Sequence, residues 1–235
     1  MRFAVALFFV FLLTAIPDGA FAGQLVIVDS SAPDLTPGQI VDSSKILTLA
    51  EGTHLTAISE DGTVVKLKGP FSGPPGGGKG SGGGGLTASL SKLVGGGSAS
   101  TSSLGVMRAK KSRIPPGPWD VNVARSGNHC VKAGEKPSLW RAGKDKAATI
   151  TIKALGGGGK ASRKWSAGDD RAAWPEGIEV RDGGQYLARI SGKASAAKLI
   201  VHVVPAGLPS DAHRAAWMAD KGCSSQARAL LADLL

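Results

Sequence analysis

Aromatic side chains make up only 5% of this 235-residue chain, with a single tyrosine, and cysteine occurs twice. So little cysteine excludes a dense disulfide scaffold and any all-thiolate zinc site. The four histidines, His54, His129, His202 and His213, lack the paired spacing of a metal site, so no metal or other cofactor is expected. No G-x-S-x-G elbow is present. The two S-x-x-K matches, Ser89 to Lys92 and Ser195 to Lys198, lack the K-T-G and S-D-N companions that would make them catalytic. Acidic residues are missing from Gly73 to Ile114, and no apolar run after residue 22 approaches the length of a bilayer span.

The N-terminus is the most informative segment. Met1 and Arg2 precede an apolar run from Phe3 to Ile16, a turn at Pro17-Asp18-Gly19, and Ala20-Phe21-Ala22 before Gly23. Basic start, short apolar stretch and A-x-A site together predict a secretory signal peptide over 1–22, with Gly23 as the mature N-terminus and a periplasmic or secreted protein. An uncleaved anchor is the weaker alternative, because a helix of that run spans about 21 Å against a hydrocarbon core of about 30 Å. No cysteine lies near the cleavage site, so a lipoprotein is not expected.

The net charge of +10 is unevenly placed. Gly23 to Ser72 holds three Lys against six carboxylates, Gly73 to Ile114 holds six Lys and Arg with no acid, and the remainder carries a net +7. Export removes nucleic acid from the expected partners and leaves the anionic polymers and lipid head groups of an envelope. Only Arg108, Lys110, Lys111 and Arg113 form a concentrated cluster, so they are the expected contact with anionic polymers or a lipid surface. In an exported chain Cys130 and Cys223 are expected to join, closing a long loop. A catalytic thiolate at Cys130 is disfavoured, because His129 beside it on a strand points to the opposite face.

From Leu25 to Lys68 short β segments alternate with turns: Leu25 to Val28, Ile46 to Leu49, Leu55 to Ile58 and Thr63 to Lys68, the last three separated by Glu51-Gly52 and Asp61-Gly62 as hairpin turns. A small meander or roll over 23–72 is expected. Leu49-Ala50-Glu51-Gly52-Thr53-His54-Leu55 and Glu60-Asp61-Gly62-Thr63-Val64-Val65-Lys66-Leu67 resemble the turn-and-strand pattern of periplasmic FecR-type domains. That resemblance implies a ligand-sensing β module without an active site. It departs from FecR-like regulators in one respect, since only Met1-Arg2 precede the apolar run and leave no cytoplasmic segment to act on a sigma factor.

Gly73 to Gly85 has the composition of a flexible linker, and 73–114 reads as a Gly/Ser-rich, basic connection. Gly73 to Lys79 also fits G-x-x-x-x-G-K, but Gly80 stands where a phosphate loop needs Ser or Thr and the following glycines cannot open a helix. Within this connection Leu86, Leu90, Leu93 and Val94 predict a short helix that packs on a neighbouring domain.

Pro115-Pro116-Gly117-Pro118 opens a second unit over 115–235. Val121 and Val123, then Ala148 to Ala154, alternate apolar with polar residues, and Gln185 to Ile190 follows the Asp182-Gly183-Gly184 turn. Leu199 to Val204 is apolar on both faces and reads as an interior strand, with His202 expected as a satisfied core histidine rather than a ligand. A β-sandwich-like domain results. It is closed by two helices: Pro209-Ser210 starts the first, Gly222 stops it, Ser224 caps the second, and Ala227, Leu230, Leu231 and Leu234 form an apolar stripe. Cys130, Leu139-Trp140-Arg141, Trp174-Pro175, Asp182-Gly183-Gly184-Gln185-Tyr186 and Gly222-Cys223-Ser-Ser-Gln226-Ala227 resemble the C-terminal part of exported proteobacterial proteins of unknown function with a FecR-like N-terminal domain. This likeness implies architecture and no catalytic residue.

All five tryptophans fall in the second unit. Most are expected to fill its core, whereas Trp165 and Trp174, beside short turns, are the two expected to be exposed and to contact a glycan or a protein. Asp169-Asp170 is adjacent in sequence and reads as a solvated loop, not a catalytic carboxylate pair. The chain as a whole therefore reads as a mainly β, non-enzymatic cell-envelope protein, a ligand-sensing or protein- or glycan-binding module; the alternative is a hydrolase of envelope polymers.

Overall fold

The computed structural model describes residues 23–76, 85–95 and 115–235. The expected signal peptide, the glycine tract around Lys79, and the basic cluster Arg108, Lys110, Lys111 and Arg113 lie outside the described residues. What is described is mainly β, fourteen strands in four sheets with three helices.

The first unit contains β1 (Gln24–Ser30), β2 (Ile40–Asp42), β3 (Leu47–Leu49), β4 (His54–Ser59), β5 (Val64–Lys68) and β6 (Phe71–Gly73). Its main sheet has the order β2-β1-β4-β5, while β3 pairs with β6 alone. Asp61-Gly62 closes the β4–β5 hairpin as expected, with Gly62 at φ +83. Glu51-Gly52 does not close a hairpin. It is a turn, but the strands on either side belong to different sheets, because Leu47 and Leu49 fold over β1 and β4 to pack with Ile27 and Leu55. The opposite faces of β1 and β4 are covered as well, which is why Leu25 to Val28 is buried without a break.

That second cover is α1 (Gly85–Gly95), whose Leu86, Leu90 and Leu93 recur at helical spacing and are buried. The helix has no acid in its own first turn. Glu60, at the β4–β5 turn, takes that place: its carboxylate accepts from the backbone N–H of Leu86 at 2.8 Å and of Thr87 at 3.0 Å, and from the Thr87 hydroxyl at 2.8 Å. At the other end Arg228 donates twice to the Leu93 carbonyl, at 3.2 and 3.1 Å. A negative group at the start of the helix and a positive one at its end both suit its dipole.

The second unit runs β7 (Asp120–Asn122), β8 (Gly127–Lys132), β9 (Ser138–Trp140), β10 (Ala148–Ala154), β11 (Lys160–Trp165), β12 (Arg171–Ala173), β13 (Gly184–Ile190) and β14 (Ala197–Val204). A five-stranded sheet, β11-β10-β13-β14-β8, faces a three-stranded one, β12-β9-β7. Val121, Leu139, Ile150, Ile152, Tyr186 and Val201 fill the layer between them. β14 is interior, as its two apolar faces require: Leu199 and Val201 enter the sandwich core, while Val204 joins the core under the helices.

Those helices are α2 (Asp211–Asp220), capped by the Ser210 side chain, and α3 (Ser224–Ala232). Gly222 stops α2 at φ +78, and a Cβ there would lie 2.6 Å from the Asn128 side-chain nitrogen. Ser224 is the first residue of α3, not its cap; the cap position is Cys223, whose side chain is committed elsewhere and offers the helix no hydrogen bond. Val26, Val28 and Ile58 of the first sheet, Leu86, Leu90 and Leu93 of α1, Met218 and Leu230 of the hairpin, and Cys130 and Val204 of the sandwich make one continuous apolar cluster.

Candidate functional site

Cys130 and Cys223 are joined, with Cα atoms 5.9 Å apart and a sequence separation of 93. The bond ties β8, at one edge of the large sheet, to the bend of the helical hairpin. Beside it the Gln226 side chain, 7% exposed, accepts from Cys130 N at 2.8 Å and donates to the carbonyls of Cys130 at 2.8 Å and Pro118 at 2.9 Å. Both N–H groups and the carbonyl oxygen of this amide are thus engaged in holding the junction.

A cleft of about 330 Å³ opens at the same junction. The sandwich edge contributes Asp120, Asn122, Arg125, Ser126, Asn128 and His129, and the hairpin contributes Gly222, Ser224 and Ser225. Asp120 is 4% exposed and fully engaged: Arg171 bonds it at 2.8 Å, Ser138 donates to it at 2.8 Å and Gly117 N at 3.1 Å. This carboxylate anchors β7 to β9 and β12. His129, 8% exposed, contacts the Arg125 carbonyl through Nε2 at 3.1 Å, and since a carbonyl only accepts, Nε2 carries the proton. Burial pushes the His129 pKa below the ordinary histidine value, so the ring is neutral. Asn128 accepts from His202 Nε2 at 3.0 Å through Oδ1, which leaves its amide N–H groups for the cleft. Together with Ser224, Ser225, Arg125 and the uncapped first turn of α3, the wall is rich in hydrogen-bond donors.

The expected binding tryptophans lie outside this cleft. Trp165 and Trp174 are 1% and 3% exposed, which corrects the expectation that turns beside them would leave them at the surface. Trp165 faces the sandwich core under the Arg141 guanidinium, 4.8 Å from its ring, and Trp174 donates to the Ile178 carbonyl at 3.0 Å while meeting Tyr186 edge-on. The turns bring the backbone to the surface, but an indole gains most by turning inward. Trp119 and Trp217 are the half-exposed pair, each beneath a lysine. Asp169 lies in an exposed loop, where its carbonyl and that of Asp170 accept from Arg141.

A serine and a histidine do meet: Ser210 Oγ is 2.8 Å from His213 Nδ1. Their spacing is that of a helix cap and the residue three further on, Ser210 also accepts from His213 N, and neither lines the cleft. The pair is accounted for by the start of α2. Among the described residues no group of three His, Cys, Asp or Glu is placed to hold a metal ion, and no helix is long and apolar enough to cross a membrane.

No family model, no curated protein and no solved structure matches this chain. Function has therefore to be read from the cleft itself. Of its residues the sequence singled out the two cysteines, His129 and the stretch Gly222 to Gln226, the last for architecture alone; Asn128 carries no motif, and only the pairing of Cys130 with Cys223 could have drawn attention to these residues as a site.

Proposed function

We propose that this protein is an exported, non-enzymatic binding module of the cell envelope that takes a glycan in the cleft beside the Cys130–Cys223 disulfide. One observation carries the reading: the cleft is built from both the sandwich edge and the hairpin bend, so one ligand touches both. Its donor-rich wall suits the many acceptor oxygens of a sugar, and concave sites with a few convergent polar groups are the usual ligand sites. Because the hairpin shares its core with α1, β1 and β4, a ligand at the bend also bears on the first unit, which is what a sensing module needs. The resemblance of that unit to FecR-type domains supports the same view. A disulfide is compatible with an oxidising extracellular compartment, which agrees with the signal-like N-terminus and a periplasmic or secreted location.

The test is titration of the mature protein with chitotriose and with soluble peptidoglycan fragments, read by calorimetry and melting temperature. Ser225→Tyr, which plugs the cleft from an exposed position, should abolish binding without lowering stability. Absence of binding to either glycan, or binding that the plug leaves intact, would refute the assignment.

A further inference from the structure

The outer face of the large sheet carries an excess of positive charge; Asp182, 3.9 Å from His202 of β14, is a carboxylate that approaches it. Strand alternation sends Ile150, Ile152, Tyr186, Ala188, Leu199 and Val201 into the sandwich core, so Lys153 of β10, Arg189 of β13 and Lys198 of β14 point the other way. Lys160 and Lys164 of β11 share that face, opposite Lys153 and Thr149 in register. All five cations are exposed, none is in an ion pair among the described residues, and no strand of this sheet contains Asp or Glu.

The arrangement is a grid. Lys160, Lys153, Leu187 and Lys198 are successive register partners across four strands, a row about 14 Å long at about 4.8 Å per strand. Ser162, Thr151 and Arg189 form the adjoining row, with the Ser162 and Thr151 hydroxyls 2.8 Å apart. Like charges directly opposite on neighbouring strands, as Lys153 and Lys160 are, destabilise a sheet until an anion lies between them.

We infer that this face docks a linear anionic polysaccharide, one bearing carboxylates for the lysines and hydroxyls for the Thr and Ser between them. Charge complementarity selects a polyanion. The face lacks the aromatic platform on which single-stranded nucleic acid stacks, since Trp165 and Tyr186 belong to the core side. Its apolar side chains do not make a membrane anchor either: Leu187 and Ile200 are half-buried, and Leu155, 38% exposed just beyond β10, stands alone. The inference does not depend on the glycan cleft at the disulfide.

Polygalacturonate is the probe, with dextran as the neutral control and phosphatidylglycerol vesicles and single-stranded oligonucleotide as rival anions. The mature protein is compared with a face variant, Lys153→Ser, Lys160→Ser, Lys198→Ser, and with a control of equal charge, Lys45→Ser, Lys68→Ser, Lys136→Ser. The face variant should bind polygalacturonate at least about tenfold more weakly at low salt, and its salt slope should fall by up to about three. The control should lose much less. Lysine acetylation of the wild type, read by mass spectrometry, supplies a variant-free check: polygalacturonate should protect Lys153, Lys160 and Lys198 over Lys45, Lys68 and Lys136. Equal losses in the two variants, equal labelling of the two sets, or tighter binding to vesicles or oligonucleotide than to polygalacturonate would overturn the inference.

Discussion

Replacing Glu60 by Gln should loosen α1 from the first sheet although the two lie far apart in sequence. The carboxylate accepts three hydrogen bonds from Leu86 and Thr87 at the helix start, and the amide keeps one acceptor while turning an N–H2 toward groups that themselves donate. Losing a helix cap costs about 0.5 to 2 kcal/mol, and losing a negative charge near the dipole a further 0.3 to 1, about 2 kcal/mol together for a half-exposed group. For a chain of this size that corresponds to a fall in melting temperature of about 4 to 8 °C. Urea and thermal denaturation of the mature protein at neutral pH measure it. Thr87→Val in the same and in the wild-type background completes a cycle that should show the two changes to be strongly non-additive. A Glu60→Gln variant within about 0.5 kcal/mol of wild type, or additive effects, would mean that this contact does not hold the helix.

Two further outcomes follow from the junction at the cleft. Cys130→Ala and Cys223→Ala should each cost about 4 to 5 kcal/mol, since either opens the same 93-residue loop, and the double variant should match the singles; costs that add would show the two sulfurs acting separately. His129 is buried neutral with a lowered pKa, so the unfolded chain binds a proton that the folded one refuses once pH falls below about 6.5; stability should decline as pH falls through that value, until the folded ring itself takes up the proton, and His129→Gln should flatten that decline in urea midpoints.

What could be read in advance follows the range of the interaction. Alternation in Ala148 to Ala154, the Asp61-Gly62 turn, the helix stop at Gly222 and the stripe Leu86, Leu90, Leu93 are local patterns, and each appears in the fold as its spacing requires. The disulfide was legible because the expectation of export and a count of two leave one pairing. Pairing of β3 with β6, the capping of α1 by Glu60 and Arg228, and the use of Gln226 as a bridge depend on residues brought together over distances that no local period encodes. The basic sheet face was hidden for the same reason. Its five cations are spread over four strands and become a surface only when the register is set, whereas Arg108 to Arg113 stand out in sequence because they are contiguous. Trp165 and Trp174 show the converse: a turn-like neighbourhood fixes the backbone's position, not the side chain's.

Both margins of the large sheet bear on how copies of this protein behave when crowded. A strand with a free margin offers amide and carbonyl groups to any other extended chain, and proteins that leave such margins bare tend to aggregate. At β8 the Gln226 amide satisfies the backbone N–H and C=O of Cys130 that point away from β14, taking the place of a missing neighbour strand. At β11 no further strand pairs among the described residues, but Lys160, Arg163 and Lys164 make a second β11 laid alongside electrostatically unwelcome. One margin is thus closed by a side chain posing as backbone and the other guarded by charge, so strand-to-strand polymerisation is discouraged at each end of the sheet.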